Sequence, residues 1–219
     1  MNVVLFGASG MVGQGVLREC LLDPEVEQVL LIGRSAIGMQ RPKLRELVRR
    51  DLFDYSDIES DLAGYDACFF CLGISAAGLS EDDYRRVNYD LPLAAANALL
   101  KVNPGMTFIY VSGTGTDSTE RGRTMWARVK GATENALLRL PFKAAYMFRP
   151  GFIQPMHGET SKTRLYRVFY VIARPIMPLL KRFFPKYVTT TEQIGRAMIK
   201  VARGGAPKAI LETDDINAV

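Results

Sequence analysis

Short apolar runs alternate along this chain with longer stretches in which apolar residues recur at helical spacing. The runs at 2–6, 28–32, 44–51, 67–71, 106–112 and 143–148 read as strands, and the stretches at 10–22, 81–102 and 121–140 read as helices. Beyond Phe148 the pattern breaks up, because Pro175, Pro178 and Pro185 divide the chain into short pieces. The segment from Thr189 to Glu192 offers a capping box for a last helix through Ala202, and 209–211 reads as an edge strand. Strands alternating with helices predict an α/β fold: a doubly wound parallel sheet covered on both faces, with a small helical lobe near the C-terminus. Ligands of such sheets bind beyond the C-terminal strand ends, where most of the candidate residues fall.

The chain of 219 residues suffices for one sizeable core, and no low-complexity stretch or internal repeat divides it. It therefore reads as one domain over 1–219, with 153–190 as an appendage. Its N-terminus reads as the first strand rather than a signal peptide, and its three cysteines suit a reducing compartment, so the expected location is the cytoplasm. Cys68 and Cys71 spell a C-x-x-C, but in a strand residues three apart point to opposite faces, which argues against a metal or redox pair. No metal site is expected.

The formal charge of +5 is unevenly spread: between Arg164 and Lys186 there are six basic residues and no acidic ones, interleaved with aromatic and aliphatic side chains. That composition suits an apolar lid whose cations snorkel to water, or a surface for a peripheral membrane or protein partner. Three prolines and interior charges exclude a spanning helix, and no recognisable nucleic-acid module accompanies the charge.

The strongest chemical signal lies at the start. Gly7, Gly10 and Gly13 stand three apart between an apolar strand and an amphipathic helix. Gly7 allows a tight exit from the strand, Gly10 lets main chain approach a diphosphate, and Gly13 lets the helix pack close to the sheet. A diphosphate then sits where free helix N–H groups and the positive end of the helix dipole converge. The implied ligand is a dinucleotide, held at Gly7, Ala8, Ser9, Gly10, Met11 and Val12.

These residues resemble the short-chain dehydrogenase/reductase superfamily, in particular its atypical NAD(P)H-binding branch that includes the Tat-interacting-protein-like oxidoreductases; the likeness implies a Rossmann sheet and oxidoreductase or epimerase-like chemistry. Asp51 and Leu52 resemble the family's pair along the adenine. Cys71, Leu72 and Gly73 resemble the loop beneath the adenosine ribose, Asn88 the helix asparagine of extended members, and Pro150, Gly151 and Phe152 the turn beside the nicotinamide. In Gly33-Arg34-Ser35 a guanidinium stands where an acidic residue would bind the ribose 2′-hydroxyl of NAD. Arg34 and Ser35 thus point to the 2′-phosphate of NADP(H), with NAD(H) as the alternative.

The catalytic pattern departs from the family. Ser112 stands where the resemblance places a serine, and Lys130 where it places a lysine, but the tyrosine four residues before that lysine is Trp126. An indole N–H does not titrate near neutral pH, so the usual interconversion of alcohols and ketones lacks its proton donor. Trp126 can stack on a planar acceptor, while Ser112, Tyr89 and His157 remain as proton sources. Two functions follow: an NADP(H)-dependent reductase of a planar or hydrophobic small molecule, with Ser112 and Lys130 as its catalytic pair, or a non-catalytic NADPH sensor or adaptor presenting the basic segment.

Overall fold

The computed structural model describes residues 1–159 and 185–219. Its centre is a sheet of seven parallel strands. In chain order they are β1 (Asn2–Phe6), β2 (Gln28–Gly33), β3 (Leu44–Val48), β4 (Ala67–Phe70), β5 (Thr107–Val111), β6 (Ala144–Arg149) and, after a small separate pair, β9 (Ile210–Glu212). The spatial order is β3-β2-β1-β4-β5-β6-β9, with the switch point between β1 and β4. The pair, β7 (Phe152–Gln154) and β8 (Val188–Thr190), is also parallel. The appendage expected at 153–190 and the basic segment from Arg164 fall largely outside the described residues.

Successive side chains of each strand feed opposite faces, and two cores result. Val3 and Leu5 face one with α1 (Met11–Leu22) and the late helix α5 (Thr191–Gly204). Val4 and Phe6 face the other with α3 (Leu91–Val102). Cys68 lies in the second core and Cys71 packs against the first, as expected for residues three apart in a strand. Among the described residues no group of His, Cys, Asp or Glu could hold a metal ion.

Four local readings are corrected. The third strand ends at Val48, not Asp51, because the Asp51 carboxylate accepts the Phe53 N–H at 2.8 Å and turns the chain away. The helix read at 81–102 is α2 (Glu81–Arg85), a π-helical turn (Arg86–Asp90) and α3. Pro92 lacks the N–H that would bond the Asn88 carbonyl four residues earlier; that oxygen instead accepts the Thr133 hydroxyl at 2.7 Å and the Tyr110 hydroxyl at 3.3 Å. The helix read from Arg121 begins at Met125 as α4 (Met125–Arg139), since Asp117 gathers the preceding loop by accepting from Thr119 and Gly122. Finally, α5 is capped by Thr190, which accepts the Gln193 N–H at 3.0 Å, one residue later than the box read from Thr189. A short helix α6 (Thr213–Ala218) was not foreseen.

Candidate functional site

The C-terminal ends of β1, β2, β3 and β4 open onto a groove of about 1180 Å³. Gly7, at φ +84°, leaves β1 against the β4 loop; a Cβ there would lie 2.6 Å from the Leu72 nitrogen. A Cβ on Gly13 would lie 2.1 Å from the Gly7 oxygen, so the first turn of α1 rests on the loop itself. Gly10 differs: its backbone is extended and a Cβ would meet nothing closer than 3.4 Å. The space it leaves belongs to the groove. No side chain caps α1 and no acidic residue stands in its first turn, so the helix end presents N–H groups and positive potential to this space, as a diphosphate requires.

Gly7, Ala8, Ser9 and Gly10 line the groove, and so do Arg34, Ser35, Asp51, Leu52, Cys71, Leu72 and Gly73. Met11 and Val12 form the start of α1 and are not among its walls. Arg34 is exposed at the end of β2 and makes no ion pair among the described residues. Burial pushes the Cys71 thiol well above its usual range, so it is no thiolate near neutral pH. Among the wall residues that escaped the sequence reading are Glu46 on β3, and Phe53 with Arg86, whose guanidinium lies 5.3 Å from the Phe53 ring centre. Glu46 and Arg86 come from distant segments, whereas Phe53 directly follows the Asp51-Leu52 pair. Asn88 is a support rather than a wall: its Oδ1 accepts the Ile74 N–H at 3.3 Å and steadies the loop beyond Gly73.

The second half of the predicted site gathers where β5 and β6 end. Thr114 N–H donates to the Pro150 oxygen at 3.0 Å, joining the two strand ends, and the Gly151 N–H donates to Thr213 Oγ1 at 2.8 Å. Phe152 is exposed beside them. Trp126 is half-buried and covers Gly115, where a Cβ would lie 3.3 Å from the indole. One turn later, Lys130 Nζ donates to the main-chain oxygen of Ser112. Desolvation lowers the Lys130 pKa from 10.5 to about 8, partly offset by the charge of Glu134.

Ser112 does not present a free hydroxyl. It is buried, and its Oγ donates to Glu134 and lies 3.2 Å from the Phe148 oxygen. Glu134 is fully buried and Arg149 grips it through Nε, at 3.0 and 3.2 Å from the two carboxylate oxygens, and through a further contact. Glu134 was absent from the sequence reading; its place one turn beyond Lys130 on α4 was the available signal. Of the other proton sources, His157 is engaged, its Nε2 3.0 Å from Glu192, while the Tyr89 ring lies under the Arg85 guanidinium at 3.8 Å. None of Ser112, Lys130, Pro150, Gly151 and Phe152 lines the groove at the ends of β1 to β4.

No family model matches the chain. Protein FMP52-2, mitochondrial, of Scheffersomyces stipitis is 28% identical over 163 residues, covering 73% of this chain and 68% of that protein. HTATIP2 of Rattus norvegicus is 28% identical over 155 residues, covering 69% of this chain and 62% of that protein. Among solved structures, a short chain dehydrogenase family protein from Francisella tularensis has a TM-score of 0.64 at 17% identity, covering 93% of this chain and 91% of that one. The expectation of a cytoplasmic protein is corrected by the FMP52 relatives, which are named mitochondrial. Among the described residues no helix is long and apolar enough to cross a membrane. The chain is thus similar in sequence to HTATIP2 and FMP52 proteins at under 30% identity, and its parallel sheet has the fold of solved short-chain dehydrogenase and epimerase structures.

Proposed function

We propose that this protein binds NADP(H) in the groove at the ends of β1 to β4 and reduces a planar or hydrophobic acceptor at the ends of β5 and β6. The observation that carries the choice of cofactor is Arg34, exposed on the groove wall without an ion pair among the described residues. A free guanidinium there is available for charge-assisted, bidentate bonds to a 2′-phosphate. The loop from Gly7 to Gly10 and the uncapped start of α1 hold the diphosphate, Asp51 and Leu52 border the adenine, and Gly73 passes beneath the ribose. Bound NADPH supplies a hydride.

The chain's own groups limit what that hydride can reach. Trp126 holds no titratable proton, and the Ser112 hydroxyl is given to Glu134. Reduction of a conjugated acceptor, which takes its proton from water, fits this environment better than reduction of an isolated ketone. Lys130 orients the nicotinamide end, and Trp126 stacks on the acceptor. Parallel calorimetric titrations with NADPH and NADH, on the wild type and Arg34→Ala, test the cofactor. A panel of carbonyl, quinone, flavin and tetrapyrrole acceptors tests the reaction.

The same loss of a proton donor favours a second reading, an NADPH-binding sensor or adaptor. Tight NADPH binding without turnover of any acceptor class would select it. The basic segment through which it would act lies outside the described residues.

A further inference from the structure

Residues 34–40 carry Arg34 and Ser35, the groups offered to a 2′-phosphate, yet this loop is thinly held. Ser35 and Ile37 line both the dinucleotide groove and a second cavity of about 720 Å³, walled on its other sides by α1 and residues 157–159. Gly38, at φ +71°, stands in open space. The Ile37 side chain packs against the core beside α1, and its N–H donates to Glu46 Oε2 at 2.8 Å. Among the described residues no other hydrogen bond involves residues 34–40. Glu46 is half-buried on β3, paired in register with Leu31 of β2, and is itself a wall of the groove.

A carboxylate on this wall has two opposite consequences. Left free, it would repel a 2′-phosphate and favour a ribose hydroxyl. Engaged with the Ile37 N–H, it anchors a loop that has cavities on both sides, and it places Arg34 and Ser35 at the groove. The observed bond to the Ile37 N–H realises the second, with the charge still on the carboxylate. We propose that Glu46 is a positioning residue for cofactor selectivity, holding the loop of Arg34 and Ser35 in the conformation that receives a 2′-phosphate. The inference rests on the NADP(H) reading given above and names the clamp behind it.

The test measures dissociation constants for NADPH and NADH with the wild type, Glu46→Met, Glu46→Ala, Glu46→Gln, Arg34→Ala and the double variant Arg34→Ala/Glu46→Met. Methionine keeps the bulk without the acceptor, and alanine replaces it if that variant fails to fold. Loss of the clamp should weaken NADPH about tenfold while leaving NADH within about threefold. Glu46→Gln, whose amide oxygen still accepts the N–H, should stay near the wild type. The double variant should bind NADPH no more weakly than Arg34→Ala, since the clamp acts through Arg34. Tighter or unchanged NADPH binding in Glu46→Met, or equal losses for both cofactors, would overturn the role of Glu46. Wild-type protein that binds neither nucleotide, or Arg34→Ala with an unaltered NADPH to NADH ratio, would instead overturn the cofactor reading itself.

Discussion

Arg149 grips the fully buried carboxylate of Glu134, with its Nε 3.0 and 3.2 Å from the two oxygens. This pair ties the end of β6 to α4 at the place where the Ser112 hydroxyl is also held. Removing Arg149 leaves the Glu134 charge buried without its ion-pair partner. Arg149→Ala should therefore cost about 3–5 kcal/mol of stability, read as a lower denaturation midpoint. A loss below about 1 kcal/mol would mean that water enters and solvates Glu134.

Lys130 gives a pH dependence with a definite sign. Burial depresses its folded pKa from 10.5 to about 8. Between these values the unfolded chain binds more protons, so the Lys130 contribution to stability rises with pH from about 8 and levels off near 10.5. Below about 8 both states carry the charge and the full burial cost is present. The difference in stability between the wild type and Lys130→Met should follow that window. A flat difference would show that the ammonium is well solvated.

Trp126 stands one turn before Lys130, where the resemblance to short-chain dehydrogenases puts a tyrosine. Trp126→Tyr should bring a titratable hydroxyl beside a lysine whose pKa is already low, and NADPH-dependent reduction of simple carbonyl compounds should rise at least about a hundredfold. Retained NADPH binding without such a gain would assign the loss of chemistry to the engaged Ser112 rather than to the indole.

Gly13 and Gly10 should separate packing from ligand approach. Gly13→Ala drives a Cβ to 2.1 Å from the Gly7 oxygen and should destabilise the fold by about 1–3 kcal/mol or more. Gly10→Ala meets nothing closer than 3.4 Å, so its melting temperature should stay near the wild type while dinucleotide affinity falls. Equal thermal losses in both variants would show that Gly10 also serves packing.

Much of the architecture was legible in the chain because it is written locally. Alternation of apolar runs and helical stretches yielded the strands of the main sheet, and the spacing of Gly7, Gly10 and Gly13 marked the turn where β1 meets α1. The opposed faces of Cys68 and Cys71 followed from strand geometry alone. Pro92 also carried a local signal, since it lies four residues after the carbonyl freed in the π-helical turn, although the stretch read as one helix.

The remainder depended on groups brought together from far along the chain. Composition and spacing do not show that Glu46 reaches Ile37, that Phe53 meets Arg86, or that Ser112 donates to Glu134 beneath Arg149. Which hydroxyl is free and which carboxylate is paired are set by packing across the sheet, because hydrogen bonds and desolvation act over a few ångströms in space without regard to separation in sequence. The sequence by itself determined the sheet, the glycine loop and an indole rather than a phenol one turn before Lys130. Tertiary structure alone decided that Ser112 is engaged, that Lys130 is desolvated, and that the loop bearing Arg34 hangs on one carboxylate.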